Sequence, residues 1–156
     1  MARKRPTKSI DHRAFGTLEF INQQYFTRLE WCGFTVDFTV ECSTEYVVQS
    51  LDMAANLIDF QDAWSDKLWE FVGPKLAELQ ESIGRDWSAR TRNRIIKSLK
   101  PHWIAVSVEK SCQMYTQFYL YTDDPAFPKD GASDYYLCIT ATSDPTFFSS
   151  ELQGGD

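Results

Sequence analysis

Phe34-Thr35-Val36-Asp37-Phe38-Thr39-Val40-Glu41 alternates without a break: Phe34, Val36, Phe38 and Val40 fall on one side, Thr35, Asp37, Thr39 and Glu41 on the other. Successive side chains on a strand point to opposite faces, so this run belongs to a sheet with one dry and one wet side. Working back toward the N-terminus, Leu29 and Trp31 alternate with Arg28 and Glu30, and Leu18 and Phe20 with Thr17 and Glu19. The polar turn Asn22-Gln23-Gln24 and the pair Cys32-Gly33 separate these runs, which predicts a three-stranded antiparallel meander.

Forward from Glu41 the period becomes helical. Ser43 or Thr44 can cap a first turn, and Glu45 suits its positive end. Val47, Ala54, Ile58, Trp64, Leu68, Phe71 and Val72 share one stripe, which predicts one long helix from Thr44 to Val72, with Asp59–Gln61 as the place for any break. Gly73-Pro74 is read as its end, with Pro74 opening a second helix whose apolar face is Leu76, Leu79 and Ile83 and whose C-terminal cap is Gly84. Ser88 caps a third helix, Ala89 to Leu99, closed by Pro101. Strands then return at Trp103–Glu109, Met114–Tyr121 and Tyr135–Thr142, with a loop at Asp123–Ser133. The order β-β-β-α-α-α-β-β-β predicts an α+β fold, an antiparallel sheet with helices packed on one face.

The 156 residues suit one domain, read as residues 14–143. Residues 1–13 read as a flexible basic arm and 144–156 as a frayed acidic tail. No run is apolar enough to span a bilayer, and no apolar segment follows the basic start, so the expected location is the cytoplasm. Cys32, Cys42, Cys112 and Cys138 form no C-x-x-C pair and read as reduced, half-buried residues. The net charge is −6, yet residues 1–14 carry +4 and residues 84–101 carry +5, which leaves −15 on the remainder. A field of that sign disfavours nucleic acid and anionic lipid and favours a basic partner.

The chain is short of reactive motifs. Its histidines are His12 and His102, with no metal-ligand spacing around them. There is no G-x-S-x-G elbow and no phosphate-binding glycine loop. Two weaker enzymatic candidates are Cys112 with His102, and the pair Asp123-Asp124, whose commoner role beside Pro125 is to favour a turn. No catalytic residue, metal or cofactor is assigned.

Two surface features carry the functional reading. Asp52, Asp59, Asp62, Asp66 and Glu70 gather on one side of the long helix, a solvated face or a docking surface for a basic protein. Tyr115, Tyr119 and Tyr121 point away from the helices if Phe118 and Leu120 point toward them. Tyrosine is enriched at interfaces and also favours strands, and such a row could be covered by a partner or by a second copy in a homodimer. Arg90, Arg92 and Arg94 are expected to neutralise the acidic helix beside them.

Phe15-Gly16-Thr17-Leu18, Trp31-Cys32-Gly33-Phe34, Gln61-Asp62-Ala63-Trp64-Ser65-Asp66-Lys67 and Phe118-Tyr119-Leu120-Tyr121 together give the chain a resemblance. From Phe15 to Thr142 it resembles an uncharacterised bacterial family of small α+β proteins that open with an F-G-T-[LF] strand. Where that family tends to show a glycine-histidine pair, this chain has Tyr135-Tyr136-Leu137-Cys138. The resemblance implies an α+β fold, and related groups assigned as immunity proteins imply an inhibitor role. The resulting expectation is a non-catalytic module that neutralises another protein, such as a basic toxin or effector. A phage anti-defence protein or nucleic-acid mimic and a small hydrolase are the alternatives.

Overall fold

The computed structural model describes residues 8–130 and 133–154. The fold is α+β: one mostly antiparallel sheet with helices on one face. The strands are β1 Ser9–His12, β2 Gly16–Ile21, β3 Gln24–Trp31, β4 Phe34–Glu41, β5 Lys100–Val108, β6 Met114–Tyr121, β7 Lys129–Asp130, β8 Ser133–Thr142 and β9 Phe147–Gly154. They lie in the order β1-β2-β3-β4-β5-β6-β8-β7, with β9 also paired to β8. The meander turns tightly because Asn22-Gln23 and Cys32-Gly33 all have positive φ, the two-residue geometry whose twist matches antiparallel strands.

Between β4 and β5 the chain leaves the sheet as a 3-10 turn, Thr44–Tyr46, and then as α1 Val47–Ala54, α2 Asn56–Asp59, α3 Gln61–Ser82 and α4 Ala89–Ser98. Ser43 and Ser88 cap the 3-10 turn and α4 through their side chains. This excursion makes β4 and β5 parallel neighbours, the one parallel pair among the described strands. A purely antiparallel sheet was the expectation. A strand leaving one end of a sheet and returning after a helical crossover must run parallel when it lands next to its start.

The helix expected over Thr44–Val72 is broken twice, at Phe60, inside the Asp59–Gln61 stretch allowed for a break, and at Ala55, where none was expected. Side chains satisfy the freed backbone groups. The buried Trp31 indole donates to Leu57 O (2.9 Å), Cys32 N–H donates to Gln61 Oε1 (2.7 Å), and Gln61 Nε2 donates to Ile58 O (3.2 Å). The expected stop at Gly73-Pro74 does not occur, because α3 runs through Pro74 to Ser82. Proline removes one helical hydrogen bond. Burial of Leu68, Val72 and Leu76 on either side holds the helix together across that defect.

Between the layers lies a core centred on Trp31, Trp64 and Phe118, with Phe118 ring centroids 5.6 and 6.0 Å from the two indoles. Phe147 of β9 joins it 5.8 Å from Phe118. Both expected loose ends need correction. Ser9–His12 is a strand on β2, and the turn after it tucks Phe15 under the sheet against Phe38, centroids 4.9 Å apart. Phe147–Gly154 is a strand on β8. Residues 1–7 of the arm and 155–156 of the tail lie outside the described residues.

Candidate protein-docking face

The helices pack on Leu18, Val36, Phe38, Val40, Ile104, Val106, Phe118, Leu120, Leu137 and Ile139, all buried. Alternation sends their neighbours to the other face, on which no described element packs. Strand register aligns that outer face in rows. One row crosses six strands as Arg28, Asp37, Trp103, Tyr119, Cys138 and Glu151.

This row carries an aromatic ridge. Trp103 stacks on Tyr119 with centroids 4.4 Å apart and planes 15° from parallel. Its indole donates to Thr39 Oγ1 (2.9 Å), which fixes the ring over β4. Tyr136 meets Tyr119, Tyr121 and His102 at 6.5, 6.0 and 5.5 Å. The next row is low: Thr39, Ala105, Gln117, Thr140 and Ser149. Beyond it stand Glu41, Ser107, Tyr115 and Thr142. Burial under the ridge pushes the Tyr119 phenol up to about 12 and the Cys138 thiol up to about 11. Both stay neutral at physiological pH, so the ridge is uncharged.

Carboxylates surround the ridge. At outward positions the described strands carry Asp11, Glu19, Glu30, Asp37, Glu41 and Glu151 against Arg28 and Lys100. Asp37 is ion-paired by Arg28 Nε at 2.9 Å, while Asp11 accepts from Thr17 Oγ1 (2.6 Å) and Glu151 from Gln153 Nε2 (2.8 Å). The result is an apolar strip with half-exposed π faces in a negative field, an arrangement suited to cationic and planar side chains.

The acidic helix residues do not form one stripe. The breaks put Asp52 on α1, Asp59 on α2, and Asp62, Asp66 and Glu70 on α3. Asp52 accepts from His12 Nε2 (2.8 Å), while His12 Nδ1 accepts the Ala14 N–H (3.1 Å). Asp59 takes both arms of Arg13 (3.0 and 2.8 Å), and that bond holds its carboxyl below the ordinary value. These two carboxylates therefore fasten the β1–β2 end of the sheet to the helices. Asp62, Asp66 and Glu70 are exposed and make no ion pair with a described residue. They lie on the helix layer, the opposite side of the molecule from Tyr115, Tyr119 and Tyr121.

The arginines of α4 do not neutralise the acidic helix residues. Arg94 forks onto Asp124 (2.7 and 3.1 Å), and Arg92 donates to Gln80 Oε1 and Trp87 O (both 2.9 Å). Arg90 and Lys97 are exposed beside Arg94. Asp124 is buried, accepts the Ala126 N–H (3.0 Å) and anchors its loop, whereas Asp123 is exposed. His102 sits near the start of β5 and Cys112 in the turn past its end, roughly 20 Å apart by strand rise alone. Among the described residues no cluster of three or more histidine, cysteine, aspartate or glutamate side chains is placed to hold a metal ion.

Sequence reasoning missed three aromatics. Trp103 and Tyr136 complete the ridge, and the signal for Trp103 was its place opposite Ile104 in the strand alternation. Phe60 projects from the α2–α3 break with 59% exposure, although its phase, one turn before buried Trp64, gave no sign of it. The sequence matches no family model, no curated protein and no solved structure.

Proposed function

We propose that this protein is a non-catalytic binding module of the inhibitor or immunity type, which holds a basic protein partner against the uncovered face of its sheet. The observation that carries the reading is the Trp103–Tyr119–Tyr136 ridge, an aromatic surface with no covering element among the described residues and a surplus of carboxylates around it. Interface hot spots concentrate in tryptophan, tyrosine and arginine, and their strength comes from desolvated aromatic anchors. Here the anchors are held in place by the sheet, so little side-chain freedom is lost on docking. An arginine of the partner can lie over the Trp103–Tyr119 pair while Glu41 and Glu151 meet neighbouring cations.

Asp62, Asp66 and Glu70 lie on the far layer and contribute to the negative field that speeds encounter, not to the same contact. The test is titration calorimetry with the purified product of the adjacent gene. Trp103→Leu should weaken binding by about thirtyfold or more, the size expected for a hot spot. The double reversal Glu41→Lys with Glu151→Lys should slow association and flatten its salt dependence. Unchanged affinity in both variants would remove the sheet face from the reading.

A further inference from the structure

We propose that two copies of this chain pair through β9, antiparallel about a two-fold axis at Ser150, so that the sheet of one continues into the sheet of the other. β9 pairs with β8 along its length, and no described strand or backbone group bonds to its other side. A strand edge presents a row of free N–H and C=O groups, and proteins blunt such edges with short strands, lysine or proline. The opposite edge of this sheet is blunted. β1 has four residues, Lys8 directly precedes it, and its Asp11 and His12 side chains are engaged by Thr17 and Asp52. β9 has eight residues, with no lysine, arginine or proline among them and a single charge, Glu151.

Apolar groups flank the undefended edge. Phe148 is the extra residue of a bulge, where Thr140 faces Ser149 and Ala141 faces Phe147, and it is 52% exposed. Phe147 and Leu152 are half-buried against the core, and Phe71 of α3 lies 5.7 Å from Phe147. The edge therefore offers free main-chain groups together with apolar side chains. Those are the two components of recognition by strand addition.

The side chains of β9 select a second copy as the strand that is added. Phe148-Ser149-Ser150-Glu151-Leu152 reads apolar, polar, polar, polar, apolar in either direction. Antiparallel pairing centred on Ser150 sets Ser149 of each copy against Glu151 of the other and Phe148 against Leu152, at both ends at once. Centring on Glu151 would oppose the two carboxylates, and centring on Ser149 would set Glu151 against Phe147. A two-fold contact requires a self-complementary patch of this kind. With one carboxylate along its length, the edge gives a basic strand from another protein little to recognise. The contact leaves Tyr119 and Trp103, two and three strands away, uncovered, so it is independent of the sheet-face reading.

Sedimentation equilibrium of the purified chain tests this. The average mass should climb with concentration toward that of two chains and stop there, because the pairing uses up both edges. Each copy carries a net charge of −6, so raising the salt from about 0.05 to about 0.5 M screens the repulsion between copies and should favour the dimer. Ser149→Glu places two pairs of like charges directly opposite one another and should weaken the dimer about tenfold. Ser149→Glu/Glu151→Lys makes each pair opposite in charge and should restore it. Both positions lie on the outer face of the strand, and both variants should keep the far-ultraviolet circular dichroism spectrum of the wild type. A chain that stays monomeric at both salt concentrations would overturn the proposal, as would a dimer that Ser149→Glu leaves unchanged or that the double variant fails to restore. A monomer whose β9 amides gain protection from hydrogen exchange only with the adjacent gene's product bound would give the edge to that partner and overturn it too.

Discussion

Replacing each of two tryptophans by leucine separates the dry side of the sheet from the wet side. Trp64 is 1% exposed, packs on Phe118 and Phe147 at 6.0 and 6.2 Å, and donates its indole N–H to Asn56 Oδ1 at 2.9 Å. Trp64→Leu leaves a cavity between the layers and deprives Asn56, which helps hold the broken helix, of its donor. Large-to-small changes in such cores cost about 2–5 kcal/mol, and the lost bond adds about 1 kcal/mol. Trp103→Leu forfeits the stack on Tyr119, worth about 0.5–1.5 kcal/mol, and the bond to Thr39, worth a similar amount. On an uncovered face water can replace that donor and fill the space, so the expected cost is about 1–2 kcal/mol with no cavity penalty. Equilibrium urea unfolding, with the slope checked for two-state behaviour, gives both numbers. A Trp103→Leu penalty equal to or larger than that of Trp64→Leu would refute the claim that this face is open.

Cys112 stands exposed in the β5–β6 turn with φ +63°, a conformation that favours glycine, so Cys112→Gly should raise stability by about 1 kcal/mol in the same urea assay. In the wild type a thiol-reactive disulfide reagent should label Cys112 first and buried Cys138, with its thiol pushed up to about 11, last. The Arg94 hydrogen bond, the largest influence on Asp124, lowers its carboxyl pKa, so the pair stabilises the fold above the unfolded-state carboxylate range. That contribution is lost as pH falls through the lowered folded value, and the advantage of wild type over Arg94→Gln should shrink as pH drops from about 5 toward 2. Pro74→Ala should return a hydrogen bond to α3 and stabilise it by as much as about 3 kcal/mol in thermal unfolding, and a loss would mean that the core is fitted to a proline bend.

Strands with one buried side were readable because alternation survives wherever one face is dry. Phe34–Glu41 and Met114–Tyr121 appear in the structure as the sequence pattern predicts. The edge strands were harder. Ser9–His12 contributes one half-buried apolar residue, Ile10, and is otherwise polar, so its pairing with β2 leaves almost no periodic trace. Phe147–Gly154 is likewise polar apart from Phe147, Phe148 and Leu152. The helix break at Phe60 falls in the Asp59–Gln61 stretch the sequence offered for one, but the break at Ala55 has no local signal, and the bonds that hold this region come from Trp31 and Cys32, residues far away in the chain. Continuation through Pro74 is a tertiary override of a sound local rule. At the candidate site the tyrosines were found by alternation. The fastening of Asp52 by His12 and of Asp59 by Arg13 was not, because it needed the β1–β2 turn to lie beside the helices.

Backbone amide hydrogen exchange of the chain, alone and with the adjacent gene's product bound, addresses the functional reading most directly. Added protection should map to the outer rows of β5, β6 and β8 around Trp103, Tyr119 and Tyr136, and leave α3 near Asp62 and Asp66 unchanged. Protection confined to the helices, with the aromatic strands exchanging as before, would contradict it.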